Sequence, residues 1–347
     1  MYLKSIATAV PETSITQTEL WHQLSHSACL DSLTGKSRLL LKKILLGDSG
    51  INKRHLAYTN IESLLHADAG KLNKMYQDSV ILLAQKALKN ACEQAQTTAD
   101  AVDALFVCTC TGYLCPGVSS YVAESLGMNP SIFLQDIVGL GCGAALPTLQ
   151  AASHYLSANP NAKVAVVAVE SCSAAFYLDD DPGVLISFCL FGDGAAASIW
   201  THNSIPNSYH FHSYQSLHLP AHREKLRFTN VKGKLKNLLD RSVPELASQA
   251  VSQLYKQSFT NGSSTINPQI LAHTGGKKVI EAIEENLLLE HPLDISRTVL
   301  QDYGNMSSPS VLFCLERALE KEHQAKELWF TSFGAGFTCY SARLSKI

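Results

Sequence analysis

A cysteine, a histidine and an asparagine, widely separated in a chain of 347 residues, each stand beside glycines: Gly139-Leu140-Gly141-Cys142-Gly143, His273-Thr274-Gly275-Gly276 and Tyr303-Gly304-Asn305. The three side chains are chemically complementary. A thiolate attacks a carbonyl and holds the acyl group, an imidazole takes or returns a proton, and a carboxamide donates a hydrogen bond to a developing negative oxygen at any pH. Singly, each has a plainer explanation: free cysteine is among the most buried residue types, a histidine at a strand end is commonly a satisfied polar group, and asparagine after glycine is a turn former. At Cys142 the glycines favour chemistry. They permit backbone angles that side chains forbid, so they can leave a sulfur unshielded in the first turn of a helix, where unpaired amides and the helix dipole favour thiolate over thiol.

The elements that must carry these residues are legible in the apolar pattern. Ile132, Phe133, Leu134, Ile137 and Val138 form a strand-like run before the glycines, and Leu146, Leu149, Ala152 and Leu156 then recur at helical spacing. Upstream, residues 3–10 read as a first strand, 19–46 as a helix capped near Thr16 or Thr18, and 76–94 as a long amphipathic helix. The run Val102 to Cys108 reads as a strand buried on both faces, and Thr109 to Gly117 as a loop leading to a helix over 119–126. Lys163 to Val169 is a second doubly buried strand. Strand, helix, strand in this alternation predicts a parallel, crossover-connected α/β sheet, with ligands beyond the strand C-termini, where the Cys110–Cys115 loop and Cys142 both fall.

The second half repeats the logic. Residues 270–272 form a strand ending at His273, helices are expected over 244–259, 277–288 and 310–319, and strands over 328–332 and 338–344 close the chain. Asn305 is expected at a third glycine-flanked strand end. The polar, proline-bearing segment Thr201 to Asn207 is the expected seam between halves 1–203 and 204–347.

Composition narrows the function. Lys plus Arg (28) nearly balance Asp plus Glu (30), with no long basic run, which argues against a nucleic-acid partner and suits a small-molecule substrate. The first residues lack a signal-peptide pattern and no apolar stretch approaches membrane-spanning length, so a cytoplasmic protein with no membrane association is expected. The ten cysteines show no CxxC pair and no zinc-site spacing, so reduced thiols are expected. Asp179-Asp180-Asp181 beside Pro182-Gly183 reads as a turn rather than a metal site. His210, His212, His218 and His222 read as surface or packing residues. Lys36, Arg38, Lys42 and Lys43 suit either a solvated helix face or a phosphate-bearing substrate tail.

Five blocks together carry a family resemblance: Gly141-Cys142, Leu190-Phe191-Gly192-Asp193-Gly194-Ala195, His273-Thr274-Gly275-Gly276, Tyr303-Gly304-Asn305-Met306-Ser307-Ser308 and Phe333-Gly334-Ala335-Gly336. In this order they resemble the thiolase-fold condensing enzymes, and within them the chalcone-synthase-like type III polyketide synthases. The resemblance implies a five-layered αβαβα fold of two similar halves and a homodimer. It implies Cys142 as acyl carrier, His273 and Asn305 as its partners, Phe191 as gatekeeper, and Cys110, Cys115, Cys172, Ala175 and Ser307 as cavity lining. It further implies an acyl-CoA or acyl-carrier-protein donor and malonyl-CoA extender, a pyrone or resorcinol/phloroglucinol-type product, and no metal or redox cofactor. The small lining residues point to an aliphatic starter.

Two positions depart from the family. Thr274 stands where a proline is usual, and Val138-Gly139-Leu140 replaces the paired glutamines of plant relatives. The plant residues that hold CoA do not carry over to Lys42, Lys43 or Lys53. Competing readings are a single-condensation ketoacyl synthase III-like priming enzyme, a silent thiolase-fold partner subunit, and a papain-like hydrolase, whose local cysteine signature is absent here.

Overall fold

The computed structural model describes residues 1–204, 206–259, 268–289, 292–321 and 324–347. Nine strands form its main sheet: β1 (Tyr2–Ala9), β2 (Ala104–Thr109), β3 (Phe133–Val138), β4 (Lys163–Glu170), β5 (Gly194–Thr201), β6 (Tyr209–His218), β7 (Gln269–Ala272), β8 (Glu327–Gly334) and β9 (Thr338–Lys346). Their spatial order is β7-β8-β9-β6-β1-β5-β4-β2-β3. Outward from the centre, β1 neighbours β5, β5 runs antiparallel to β4, and β4 parallel to β2. On the other side β6 neighbours β9, β9 runs antiparallel to β8, and β8 parallel to β7. The two arrays thus share one order, and they join where Tyr2 pairs with His210.

Period-two alternation builds the layers from these arrays. In β4, Val164, Val166 and Ala168 face a core shared with the helices Ala145–Ala158 and Ser310–Leu319, to which β8 contributes Leu328 and Phe330 from the other array. The alternate residues Ala165, Val167 and Val169 face the outer helices Ala69–Gln94 and Val118–Ser125. On the far side Ala272, Trp329 and Cys339 face Val243–Phe259 and Lys277–Leu287. Helix, strand, helix, strand, helix is the resulting stack, the thiolase-like architecture. The central helix explains its own burial: Leu146, Leu149, Ala152 and Leu156 lie on one stripe and are at most 1% exposed. Truncating either Leu146 or Leu149 to alanine would cost about 2–5 kcal/mol.

Three expectations change. The helix expected over 19–46 is two helices, Gln17–Ser25 and Gly35–Leu45, because Ser27 caps a short 3-10 turn and Thr34 caps the second helix. The long helix starts earlier, at Ala69, where Asp68 accepts from the Lys71 amide. A helix at Asp294–Tyr303 and a ribbon, Leu226–Val231 with Lys234–Leu239, were not foreseen. At the ribbon turn Lys232 and Gly233 both take positive φ, the conformation two-residue hairpin turns favour. The seam expected at Thr201–Asn207 runs through Ile205, which lies outside the described residues. No described helix is long and apolar enough to cross a membrane.

Candidate active site

Cys142 sits on the tight turn Gly141–Gly143 between β3 and the central helix. Gly139 and Gly141 take φ of +86° and +61°, which a side chain would resist. The turn is also clamped from above. A Cβ at Gly334 would lie 2.2 Å from Leu140 O and 3.1 Å from Cys142 N, so only glycine lets β8 approach the cysteine backbone. The sulfur therefore stands just ahead of the helix rather than in its first turn, and Cys142 is 9% exposed.

The small exposed fraction opens on two cavities. One, of about 710 Å³, is lined by Cys142, His273, Asn305, Phe191 and Phe333, with Lys43, Arg241, Lys277 and Lys278 also on its wall. The other, of about 290 Å³, is lined by Cys110, Cys142, Cys172, Ala175, Phe191 and Ser307, with Phe176, Tyr177, Phe188 and Phe228 among its aromatic residues. Cys142 and Phe191 are on both walls, so they stand at the junction. Cys115 does not belong with the lining residues: the loop leaves the wall after Thr111, and Cys115 is exposed and on neither wall.

His273 follows β7 as expected. Its amide donates to Thr331 O at 2.9 Å, its ring meets Phe333 edge to face, and both ring nitrogens are buried without a hydrogen-bond partner. Unpartnered buried nitrogens are uncommon, and here they border a cavity a substrate could fill. Asn305 follows a helix, Asp294–Tyr303, not a strand, with Gly304 at φ +70° ending the helix. Its backbone bridges to Phe191, and its Oδ1 accepts from the Ser307 amide at 2.8 Å, leaving Nδ2 without a partner among the described residues. Thr274, the departure from proline, is buried and donates to Gly304 O at 3.3 Å, joining the histidine loop to the asparagine loop.

Burial governs the electrostatics. It pushes the Cys142 thiol up to about 12 and the His273 imidazole down to about 3. Burial thus opposes, at Cys142, the thiolate that the helix dipole alone would favour, and at His273 the charged ring. Beneath the sulfur, Glu170 is fully buried and accepts from the Cys110 and Thr111 amides at 2.9 and 3.0 Å and from Ser308 Oγ at 2.6 Å. Burial raises its pKa, the Ser308 and backbone donors opposing the rise. The ten cysteines are all free. Among the described residues one group could gather a metal, Cys29, Glu62 and His66. It lies away from Cys142, two of its members are exposed, and His66 Nδ1 already donates to Glu62 O at 2.8 Å.

Comparison with known families identifies the family of the chain. Residues 11–218 match the family model of FAE1/type III polyketide synthase-like proteins, and residues 213–341 match the C-terminal domain of chalcone and stilbene synthases. The chain belongs to the type III polyketide synthases. It is accordingly a decarboxylating condensing acyltransferase. It is 30% identical over 334 residues to a 3,5-dihydroxyphenylacetyl-CoA synthase of Amycolatopsis orientalis, covering 91% of this chain and 85% of that one. A 1,3,6,8-tetrahydroxynaphthalene synthase of Streptomyces coelicolor is 25% identical over 88% of this chain and 83% of its own. The crystal structure of PKS-I from the brown alga Ectocarpus siliculosus superposes with a TM-score of 0.90 at 21% identity, over 99% of this chain and 98% of that one.

Some of the synthase's site residues escaped sequence reasoning. Leu226, Phe228 and Asn237 reach the cavities from the unforeseen ribbon. Glu170 closes an apolar strand and carries no motif of its own. Arg54 reads as one more basic residue in a turn, yet it is completely buried against Phe188 and Phe191. Only the packing of distant loops distinguishes it.

Proposed function

We propose that this synthase loads a short acyl group on Cys142, extends it with malonyl-CoA over two or more rounds, and releases a small cyclised product. The observation that carries the reading is the position of Cys142 at the junction of the two cavities, the larger bearing His273, Asn305 and four cations. In loading, the sulfur passes its proton to His273, attacks the thioester carbonyl and expels the donor thiolate, which takes a proton. Malonyl-CoA in the larger cavity then loses carbon dioxide. The electron pair left behind is held as an enolate, whose oxygen accepts hydrogen bonds from His273 and from Asn305 Nδ2, donors commonly worth about 3 kcal/mol each. The pair forms a carbon–carbon bond to the acyl carbonyl, Cys142 thiolate departs, and the lengthened chain returns to it for the next round. No step changes the number of electrons in the chain plus carbon dioxide, so none calls for a redox cofactor.

Three features shape the substrate reading. The smaller cavity, about 290 Å³ and walled by aromatic rings, sits at the low end of ligand-site volumes and favours a short starter and a compact phenol or pyrone over a long aliphatic starter. The products in the names of the two relatives, a dihydroxyphenylacetyl thioester and a tetrahydroxynaphthalene, are compact in the same sense. At the mouth of the larger cavity Lys277 pairs with Asp48, while Lys43, Arg241 and Lys278 have no carboxylate partner among the described residues. Three uncommitted cations suit a carrier with several phosphates, which favours CoA over a carrier protein as donor. The free edge of β3, with Phe133 43% and Val138 48% exposed, suits a second copy of the chain, hence a homodimer.

The test is product mass from the purified protein given malonyl-CoA alone and with a panel of acyl-CoAs. Consumption of malonyl-CoA with a product of two or more added ketide units is expected, and short starters should be preferred. One added unit would indicate a priming synthase, no malonyl-CoA consumption a silent subunit, and exclusive use of long acyl-CoAs would overturn the compact-product reading.

A further inference from the structure

Arg54 lies in the short strand Lys53–His55, whose partner is Ser14–Thr16, outside both cavities. It is 0% exposed, an unusual place for a guanidinium, and it has no carboxylate within ion-pair distance. Asp193, an acid whose charge reaches Arg54, is taken up by the Ala57 amide at 2.7 Å and by the Ser173 amide and hydroxyl at 2.8 and 2.5 Å. Arg54 instead spends its charge on main chain. Nη1 donates to Phe188 O at 2.9 Å and to Phe191 O at 2.6 Å, while Nε and Nη2 have no partner.

The same side chain lies against the asparagine loop. A Cβ at Gly304 would come within 2.8 Å of Arg54 Cγ and 2.6 Å of Leu190 O, and one at Gly192 would meet Tyr303 O at 2.5 Å. Between these glycines the loops are stitched together: Asn305 N donates to Leu190 O at 2.9 Å and Gly192 N to Asn305 O at 3.0 Å. The Asp193 amide donates to His55 O at 2.8 Å, adding a main-chain bond from the Arg54 strand itself. Arg54 thus braces from behind the one place where Phe191 and Asn305 are joined.

We infer that Arg54 is a positioning residue that fixes Phe191 and Asn305 relative to each other, so that the gate at the cavity junction and the amide donor are set by one buried guanidinium. A charge bonded to two carbonyls in a dry interior has no cheap alternative partner, so it holds those carbonyls more firmly than a neutral donor does. Removing it frees the Phe191–Asn305 bridge without touching the Cys142 turn. The inference rests on the proposed role of Asn305 for its effect on turnover, but its structural content is independent of that role.

Arg54→Met separates the two. Peptides containing the Gly192 and Asn305 amides should exchange deuterium at least about tenfold faster than in the parent protein. Malonyl-CoA decarboxylation should fall at least about tenfold, while alkylation of Cys142 by iodoacetamide stays within about threefold. Arg54→Lys, which keeps the charge with a single donor group, should lie between. Unchanged exchange at both amides overturns the inference, and so does a parallel loss of decarboxylation and alkylation, which is what general loosening of the fold produces. If Arg54→Met does not fold, Arg54→Lys is judged on the same ratio. Asn305→Ala serves as control: if it leaves decarboxylation intact, the role of Asn305 fails while the exchange result still decides for or against Arg54.

Discussion

At the scale of single residues, the behaviour of the site turns on two groups that burial drives away from charge. Cys142 is pushed up to about 12 and His273 down to about 3, so neither a lone thiolate nor a lone imidazolium is favoured at neutral pH. In the proposed loading step both charges arise together, as the proton passes from sulfur to ring, and each then stabilises the other where screening is weak. Either arrangement holds a single proton, so proton occupancy stays constant across the neutral range. Alkylation of Cys142 by iodoacetamide should accordingly vary less than about threefold between about pH 6 and 9, whereas in His273→Gln, which leaves the thiol no acceptor, it should be slower and climb about tenfold per pH unit. A tenfold climb in the parent protein would show that the two groups do not share the proton. The sign for stability follows from the same shift. The folded His273 titrates below its ordinary 6.5, so the stability tied to its neutral form is present above that value and lost as pH falls toward 3.

At the scale of elements, the helix Lys277–Leu287, the helix Gly35–Leu45 and the chain just after the ribbon bring Lys278, Lys43 and Arg241 to one cavity mouth. These are exposed side chains, worth about 1 kcal/mol each at such sites, so Lys278→Glu or Arg241→Glu should raise KM for an acyl-CoA about five- to tenfold with kcat nearly unchanged. High salt should shrink the difference. The corresponding N-acetylcysteamine thioester, which lacks the nucleotide, should show no change, and an equal loss with both thioesters would place these cations elsewhere in the reaction. How far the elements were legible depended on local signals. The capping box of Thr16 with Glu19 and the valine-rich β4 were readable because they express propensity and period within one segment. The break at Ser27 and the helix before Asn305 were not, because the same apolar spacing serves one long helix or two short ones until Ser27 and Thr34 act as caps.

At the scale of the molecule, the open edge is the remaining demand on the fold. β3 pairs on one side only and exposes Phe133 and Val138. Light scattering should give twice the chain mass, and the double variant Phe133→Lys, Val138→Lys should give a single chain. A monomeric parent protein at micromolar concentration would overturn the dimer.

The sequence by itself determined the local conditions for chemistry. Glycines admit positive φ at 139, 141 and 304, apolar strands are paced for burial, and a thiol, an imidazole and a carboxamide are the side chains proposed to react. Tertiary packing alone decided which of these share a cavity. It brought Cys142, His273 and Asn305 to one wall, sent Cys115 to the surface, made Arg54 a buried brace and gave the smaller cavity its aromatic walls. The reason is physical. Backbone angles and side-chain period are set within a few residues, whereas the distance between groups more than a hundred positions apart is set by how layers of helix and sheet close-pack.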